Sequence, residues 1–312
     1  MKGIISLGEA LIDFIPLDKD NITYQKSPGG APANVAVAVA KLGARSTFIG
    51  KVGNDVLGEF MRDTLKGHGV NVDSMLLTEE ARTGVVFVTL DETGERHFSF
   101  YINPSADRFL SAENIEKELF KSHNVFHFGT ISMISEPSKS ATLEAIRLAK
   151  KNGLIVSFDP NLRLGLWESE SQAKDTIISM LKETDLAKIS DEEMTFLTGE
   201  TLVEKALKKL ESYEIPVLLI TFGAKGSYIC LHGKITHVPA IDVETVDTTG
   251  AGDAYVSGLL YQLSEDGRKP IDISLDDWKK IVGFASVSGA LAASTRGAMN
   301  ALPTLDEVQE KV

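Results

Sequence analysis

Two short stretches bring together residue types that could do chemistry. The first is Gly29-Gly30-Ala31-Pro32-Ala33-Asn34, running directly into Val35-Ala36-Val37-Ala38-Val39-Ala40-Lys41-Leu42-Gly43. Paired glycines let a backbone approach a ligand closely, and Pro32 suits the first turn of a helix. From that turn the Asn34 amide, which both donates and accepts, would point at a polyol. Taken alone, the stretch reads equally well as a tight strand-to-helix connection. The second is Asp247-Thr248-Thr249-Gly250-Ala251-Gly252-Asp253, followed by a helical pattern over residues 254–260. Gly250, Ala251 and Gly252 carry almost no side chain, so three consecutive backbone N–H groups at a helix start can converge on an anion. Asp253 makes that pocket chemical, because a carboxylate beside a phosphate weakens simple binding but can take a proton from an attacking hydroxyl. A carboxylate that only complemented a helix dipole would not need the Gly-Ala-Gly run.

Other chemistries are missing. There is no G-x-x-x-x-G-K-[ST] phosphate loop, no G-x-G-x-x-G after the first strand and no G-x-S-x-G elbow, which removes weight from Walker-type NTPases, dinucleotide oxidoreductases and α/β-hydrolases. The histidines at 68, 97, 123, 127, 232 and 237 lack zincin spacing, and His123 and His127 fall in or beside a strand, which reads as packing.

With both glycine-rich stretches in one chain, in this order and about 220 residues apart, the sequence resembles the ribokinase-like (PfkB) carbohydrate kinases over nearly its whole length. Further stretches are similar to the fructokinase branch: Gly8-Glu9-Ala10-Leu11-Ile12-Asp13, Ile49-Gly50-Lys51-Val52-Gly53-Asn54-Asp55, Gly94-Glu95-Arg96-His97-Phe98, and Asp159-Pro160-Asn161-Leu162-Arg163 with Leu166-Trp167. The resemblance implies a three-layer αβα fold with a mostly parallel central sheet and a small antiparallel β lid. It implies ATP-dependent phosphorylation of a sugar hydroxyl, D-fructose to fructose 6-phosphate, with 2-keto-3-deoxygluconate kinase as the alternative within the family. A catalytically silent sugar- or nucleotide-binding regulator is the alternative of another class, and the intact Asp253 argues against it. Carried onto this chain, the resemblance has Asp13, Gly30, Asn34, Asn161 and Arg163 binding the sugar, and Asp253 as base beside Gly250, Ala251 and Gly252. Ser190, Thr221, Gly223 and Gly226 would bind nucleotide, the last three in the loop Thr221-Phe222-Gly223-Ala224-Lys225-Gly226, which alone reads as a hairpin turn. Glu193 would act on Mg²⁺ through water, and Asp247 and Thr249 would hold a monovalent cation such as K⁺. A homodimer through the lid is implied by analogy.

The chain also departs from the family. Ser190 stands where the Asn-x-x-Glu element has its amide, in Ser190-Asp191-Glu192-Glu193. Ala301 stands where ribokinases place a hydroxyl near the cation, and Ala31-Pro32 replaces the Lys-Gly pair typical of ribokinase, which argues against ribose.

These residues need elements to hold them. Apolar runs at 124–128, 154–158 and 217–221 alternate with helical periods such as 141–148 and 202–210, and the N-terminal part follows suit with a strand at 4–7, a helix at 32–42 and a strand at 47–52. That alternation predicts βαβ units and a parallel sheet covered on both faces. Two excursions break it: a hairpin over 83–102 turning at Asp91-Glu92-Thr93-Gly94, and an extended segment at 11–26. They are expected to meet as a small sheet, so that one domain spans 1–312 with a lid from about 11–28 and 83–105. At 312 residues, 43% hydrophobic and 24% charged, the composition is globular. The net charge of −12 disfavours nucleic acid and anionic membrane as partners, leaving a small-molecule sugar and ATP. The single Cys230, the early acid in the N-terminal segment and the lack of a long apolar run predict a cytoplasmic protein without a signal peptide or membrane span.

Overall fold

Alternation along the strands decides the layering. In the computed structural model, which describes residues 3–93 and 95–312, the chain runs β1 (Gly3–Leu7), β2 (Leu11–Pro16), β3 (Tyr24–Gly29), α1 (Ala31–Lys41), β4 (Arg45–Gly53), α2 (Val56–Gly67), β5 (Met75–Thr78), β6 (Val85–Leu90) and β7 (Arg96–Tyr101). It continues through α3 (Leu119–Ser122), β8 (His123–Phe128), α4 (Ser138–Lys151), β9 (Ile155–Phe158), α5 (Glu170–Leu181), β10 (Leu186–Ser190), α6 (Asp191–Thr198), α7 (Val203–Leu210), β11 (Val217–Thr221), β12 (Ser227–Leu231) and β13 (Lys234–Val238). It ends with α8 (Ala251–Asp266), α9 (Leu275–Ala293) and α10 (Leu305–Gln309). Gly94, in the expected hairpin turn, lies outside the described residues, as do Met1 and Lys2.

The large sheet has the order β13-β12-β11-β10-β9-β8-β1-β4-β5, parallel except where β12 and β13 add antiparallel. Successive strand residues face opposite sides. Ile5, Leu7, Phe126, Phe128, Val156 and Phe158 pack on one side against α4 to α7, with Phe126, Phe128 and Phe158 stacked in series. Ile4, Val125, Ile155, Leu186 and Val217 pack on the other against α1, α8 and α9. Both faces are therefore dry, as near-continuous apolar strands require. Small residues draw the second helical layer tight: a Cβ on Gly258 of α8 would come within 2.8 Å of the Ala285 Cα of α9.

The second sheet has the order β3-β2-β6-β7. Each excursion pairs antiparallel within itself, β2 with β3 and β6 with β7, and the seam between them, β2 with β6, is parallel. Phe87 anchors its outer face, stacked on Phe14 at 4.8 Å with Tyr24 and Tyr101 edge-on. His123 and His127 pack within the large sheet, on Thr47 and Ser157 respectively. Among the described residues, no helix is long and apolar enough to cross a membrane.

Candidate active site

Parallel strands end at the same edge, and there a cleft of about 800 Å³ opens between the large sheet and the inner face of the small one. Leu11, Asp13, Val86, Arg96, Phe98 and Phe100 line it from the small sheet, alternate residues of one pleated face on β2 and β7. The first turns of α1 and α8 close its floor. Gly30, the N-cap of α1, has φ 100°, and a Cβ there would lie 2.5 Å from the Glu9 carbonyl oxygen, so only glycine makes this turn. Gly250 caps α8 at φ 78°.

Packing α1 against α8 joins the two motifs. Asn34 Nδ2 donates to Asp253 Oδ2 at 2.7 Å, and among the described residues the buried Asn34 Oδ1 has no partner. A substrate hydroxyl is the donor such an oxygen needs. Burial raises the Asp253 carboxyl to about 6 against the lowering pull of the Asn34 amide. Asp13 rises to about 6, again by burial, with Arg163 opposing. Glu9, buried under the Gly30 turn and accepting from the Ala31 N–H, rises to about 8, chiefly by desolvation. Three carboxyls with weakened charge thus face one cleft, a common property of sites that move protons.

The anion pocket differs in one detail from the three-amide expectation. The left-handed turn at Gly250 carries the Ala251 N–H back onto the Thr248 carbonyl at 3.1 Å, so that amide is engaged within the loop. Gly252 and Asp253 complete the first turn at the cleft wall. Asn161, held at φ 45°, and Arg163, whose guanidinium donates to the Leu162 carbonyl, line the opposite wall.

The nucleotide and metal candidates lie elsewhere. Ser190 and Thr221 pair in register on β10 and β11, and Gly223 and Gly226 shape a tight turn from β11 to β12; none of the four lines the cleft. Ser190 caps α6 reciprocally with Glu193, whose carboxylate accepts from the Ser190 and Leu162 N–H groups at 2.9 and 2.8 Å. Asp247 accepts from Arg96 Nη1 at 2.9 Å, and the same nitrogen donates to Thr249 Oγ1 at 3.1 Å. A guanidinium from β7 therefore sits on both residues expected to hold a monovalent cation.

Sequence reasoning assigned no role to Lys188. It lies on β10, 12% exposed at its side chain, with Nζ 3.0 Å from Asp159 Oδ2. Burial opposes its charge, but Asp159, Glu193 and Asp253 hold it on, up to about 12. The available signal was one cation inside the apolar strand Leu186-Ala187-Lys188-Ile189.

The model of the pfkB family of carbohydrate kinases matches residues 1–305. Fructokinase-2 of Oryza sativa subsp. japonica is 42% identical, with 99% of this chain and 93% of that one covered. The fructokinase of Xylella fastidiosa, solved with bound ATP, superposes with a TM-score of 0.92 at 35% identity, covering 99% of this chain and 97% of that one. A double mutant of fructokinase from Vibrio cholerae O395, in fructose, ADP and potassium ion bound form, gives a TM-score of 0.90 at 39% identity, covering 99% and 98%.

Proposed function

The chain belongs to the pfkB family of carbohydrate kinases, and from that premise we propose that it transfers the γ-phosphoryl group of ATP to D-fructose, yielding fructose 6-phosphate. The observation that carries this reading is the Asn34–Asp253 hydrogen bond at the cleft floor, which sets a polyol-binding amide against a base beside a helix N-terminus. Asp13, Gly30, Asn34, Asn161 and Arg163 hold the sugar. Asp253 accepts the proton of the attacking hydroxyl, its oxygen bonds to the γ-phosphorus, and the bond to the bridging oxygen of ADP breaks. The first turn of α8, over Gly250, Ala251 and Gly252, receives the transferring phosphoryl group, with positioning and charge stabilisation supplying most of the acceleration. A sugar hydroxyl between Asn34 and Asp253 would satisfy the orphaned Asn34 oxygen. The fructokinase relatives, two of them with ATP or with fructose and ADP bound, support the same substrates.

The nucleotide would extend from the cleft along the edge carrying Ser190, Thr221, Gly223 and Gly226. The acids at that edge fit a magnesium ion brought in on the nucleotide: Glu193 is already ordered by two backbone N–H groups, suiting it to hold a water of the ion's shell. When bound, the ion neutralises charge on the β and γ oxygens. The loop at Asp247 and Thr249 is the monovalent-cation site, where a cation would share the Asp247 carboxylate with Arg96. Residues 1–312 act as one domain, and the small sheet, about 11–28 and 83–105, is its lid. The lid also offers a surface to a second copy, since Tyr101 is 63% exposed beside the Phe87 cluster; a dimer mass in light scattering is expected, and a monomer at working concentration refutes it. The absence of a membrane-spanning helix among the described residues and the lone cysteine are consistent with work in the cytoplasm.

ADP release measured across fructose, ribose, 2-keto-3-deoxygluconate and adenosine tests the reading. Fructose should give the highest kcat/KM. A tenfold advantage (about 1.4 kcal/mol) for the keto acid would overturn the assignment.

A further inference from the structure

We propose that Lys188 is a catalytic residue of this transfer, its ammonium binding the oxygens of the travelling phosphoryl group; the proposal rests on the kinase reading above. An ammonium in the apolar strand β10 is costly to bury unless it is paired or used. Lys188 is paired, with Asp159 Oδ2 at 3.0 Å, but among the described residues that bond takes one of its three N–H donors and leaves two. Its position favours a use for them. A Cβ on Gly252 would lie 3.6 Å from Lys188 Nζ, so the ammonium abuts the helix turn assigned to the phosphoryl group, at a spot kept open by a residue without a side chain.

Charge requires a cation at this spot. Asp159 and Asp253 line the cleft, and Glu193 lies close enough to act on Lys188. An incoming triphosphate would meet these carboxylates, and apart from the ion it carries it would find the backbone dipoles of the α8 turn in compensation. Of the other cationic side chains lining the cleft, Arg96 is engaged by Asp247 and Thr249, and Arg163 donates to the Leu162 carbonyl while its charge acts on the Asp13 and Asp253 carboxyls. During transfer, negative charge spreads over the equatorial phosphoryl oxygens while the sugar oxygen bonds to phosphorus and the bond to ADP breaks. The hydroxyl proton goes to Asp253, and Lys188 stays protonated throughout. A fixed ammonium in a partly dry site stabilises that charge without reorganising.

The experiment compares wild type, Lys188→Met and Lys188→Arg, each checked for folding by thermal melting. Lys188→Met should lower kcat by about 10²-fold or more, the effect of removing a preorganised charge partner, while KM for fructose stays within about threefold (under 1 kcal/mol). Calorimetry should show affinity for the β,γ-imido analogue of ATP falling about tenfold (1.4 kcal/mol) with ADP affinity unchanged, because ADP has no γ-phosphate. Lys188→Arg should recover part of both losses. If Lys188→Met fails to fold, the charge-balanced pair Lys188→Met with Asp159→Asn is measured against Asp159→Asn alone, and the same selective loss of the analogue is expected. Equal loss of ADP and analogue, or a folded Lys188→Met keeping more than a third of kcat, overturns the proposal. A wild type that releases no ADP with any sugar would overturn the kinase reading instead, while the analogue-against-ADP comparison still decides whether Lys188 contacts the γ-phosphate.

Discussion

Burial pushes the Asp253 carboxyl up to about 6 while the Asn34 amide, 2.7 Å away, favours its ionised form. A carboxylate so placed is ionised at neutral pH and suits the base proposed above, and with that role kcat should fall as pH drops through about 6. Asp253→Asn keeps the shape and the helix N-terminus but cannot take the proton, so kcat should fall by about 10²–10⁴. Affinity for ATP should hold or tighten, since a negative charge beside the γ-phosphate is gone. Steady-state kinetics with calorimetric ATP binding checks both, and a folded variant retaining more than half of wild-type kcat would remove the centre of the mechanism. Asp253 and Asn34 stood out in the sequence because each follows small, glycine-rich residues at a helix start, whereas Asp13, inside a strand, was singled out only through the family resemblance. Lys188 was not, because its meaning depends on Asp159, 29 residues away just past the end of the neighbouring strand β9, and on the bare backbone at Gly252. Nothing in local spacing carries that information.

At the scale of elements, the βαβ alternation was legible because parallel strands buried on both faces read as apolar runs between helical periods. The two excursions were also legible as extended chain, but the parallel β2–β6 seam was not, since pairing between segments about 70 residues apart leaves no local trace. A longer separation concealed the bridge from Arg96 on β7 to Asp247 and Thr249 beside α8, 151 and 153 residues on. That bridge ties the small sheet to the loop that leads into α8, so the position of the proposed lid and the geometry of that loop are coupled through one guanidinium. Arg96→Ala should raise KM for fructose about three- to tenfold, the scale of a partly exposed ion pair of about 1 kcal/mol, with ADP affinity little changed. High salt should weaken wild type toward the variant. Hydrogen exchange gives a second reading: fructose should protect β2, β3, β6 and β7 in wild type, and protection should be weaker in the variant. Equal protection with and without sugar would count against a closing lid.

For the whole molecule, the cleft that concentrates acids works against the fold that carries it. Glu9, Asp13 and Asp253 all have carboxyls raised by burial, to about 8, 6 and 6. Between its ordinary value and its raised one, each binds more protons in the folded chain than in the unfolded chain. By linkage, stability then falls as pH rises through that window, from 3.8 to about 6 for Asp13 and Asp253 and from 4.5 to about 8 for Glu9. Carboxylates held low by hydrogen bonds, such as Asp55 and Asp247, have the opposite sign and lose stability as pH drops. Those contributions are the same in wild type and in a variant at Asp253, so they cancel in the difference between the two. Asp253→Asn, which deletes one raised carboxyl, should therefore melt near wild type at pH 4. By pH 8 it should be more stable by on the order of 1–2 kcal/mol, less than the full shift because the cleft admits water, or a few degrees in Tm. Thermal melts from pH 4 to pH 8 read this directly. A Tm difference that does not change with pH would mean that Asp253 ionises as freely in the folded chain as in the unfolded one, and a carboxylate of that kind would be too weak a base for the transfer proposed.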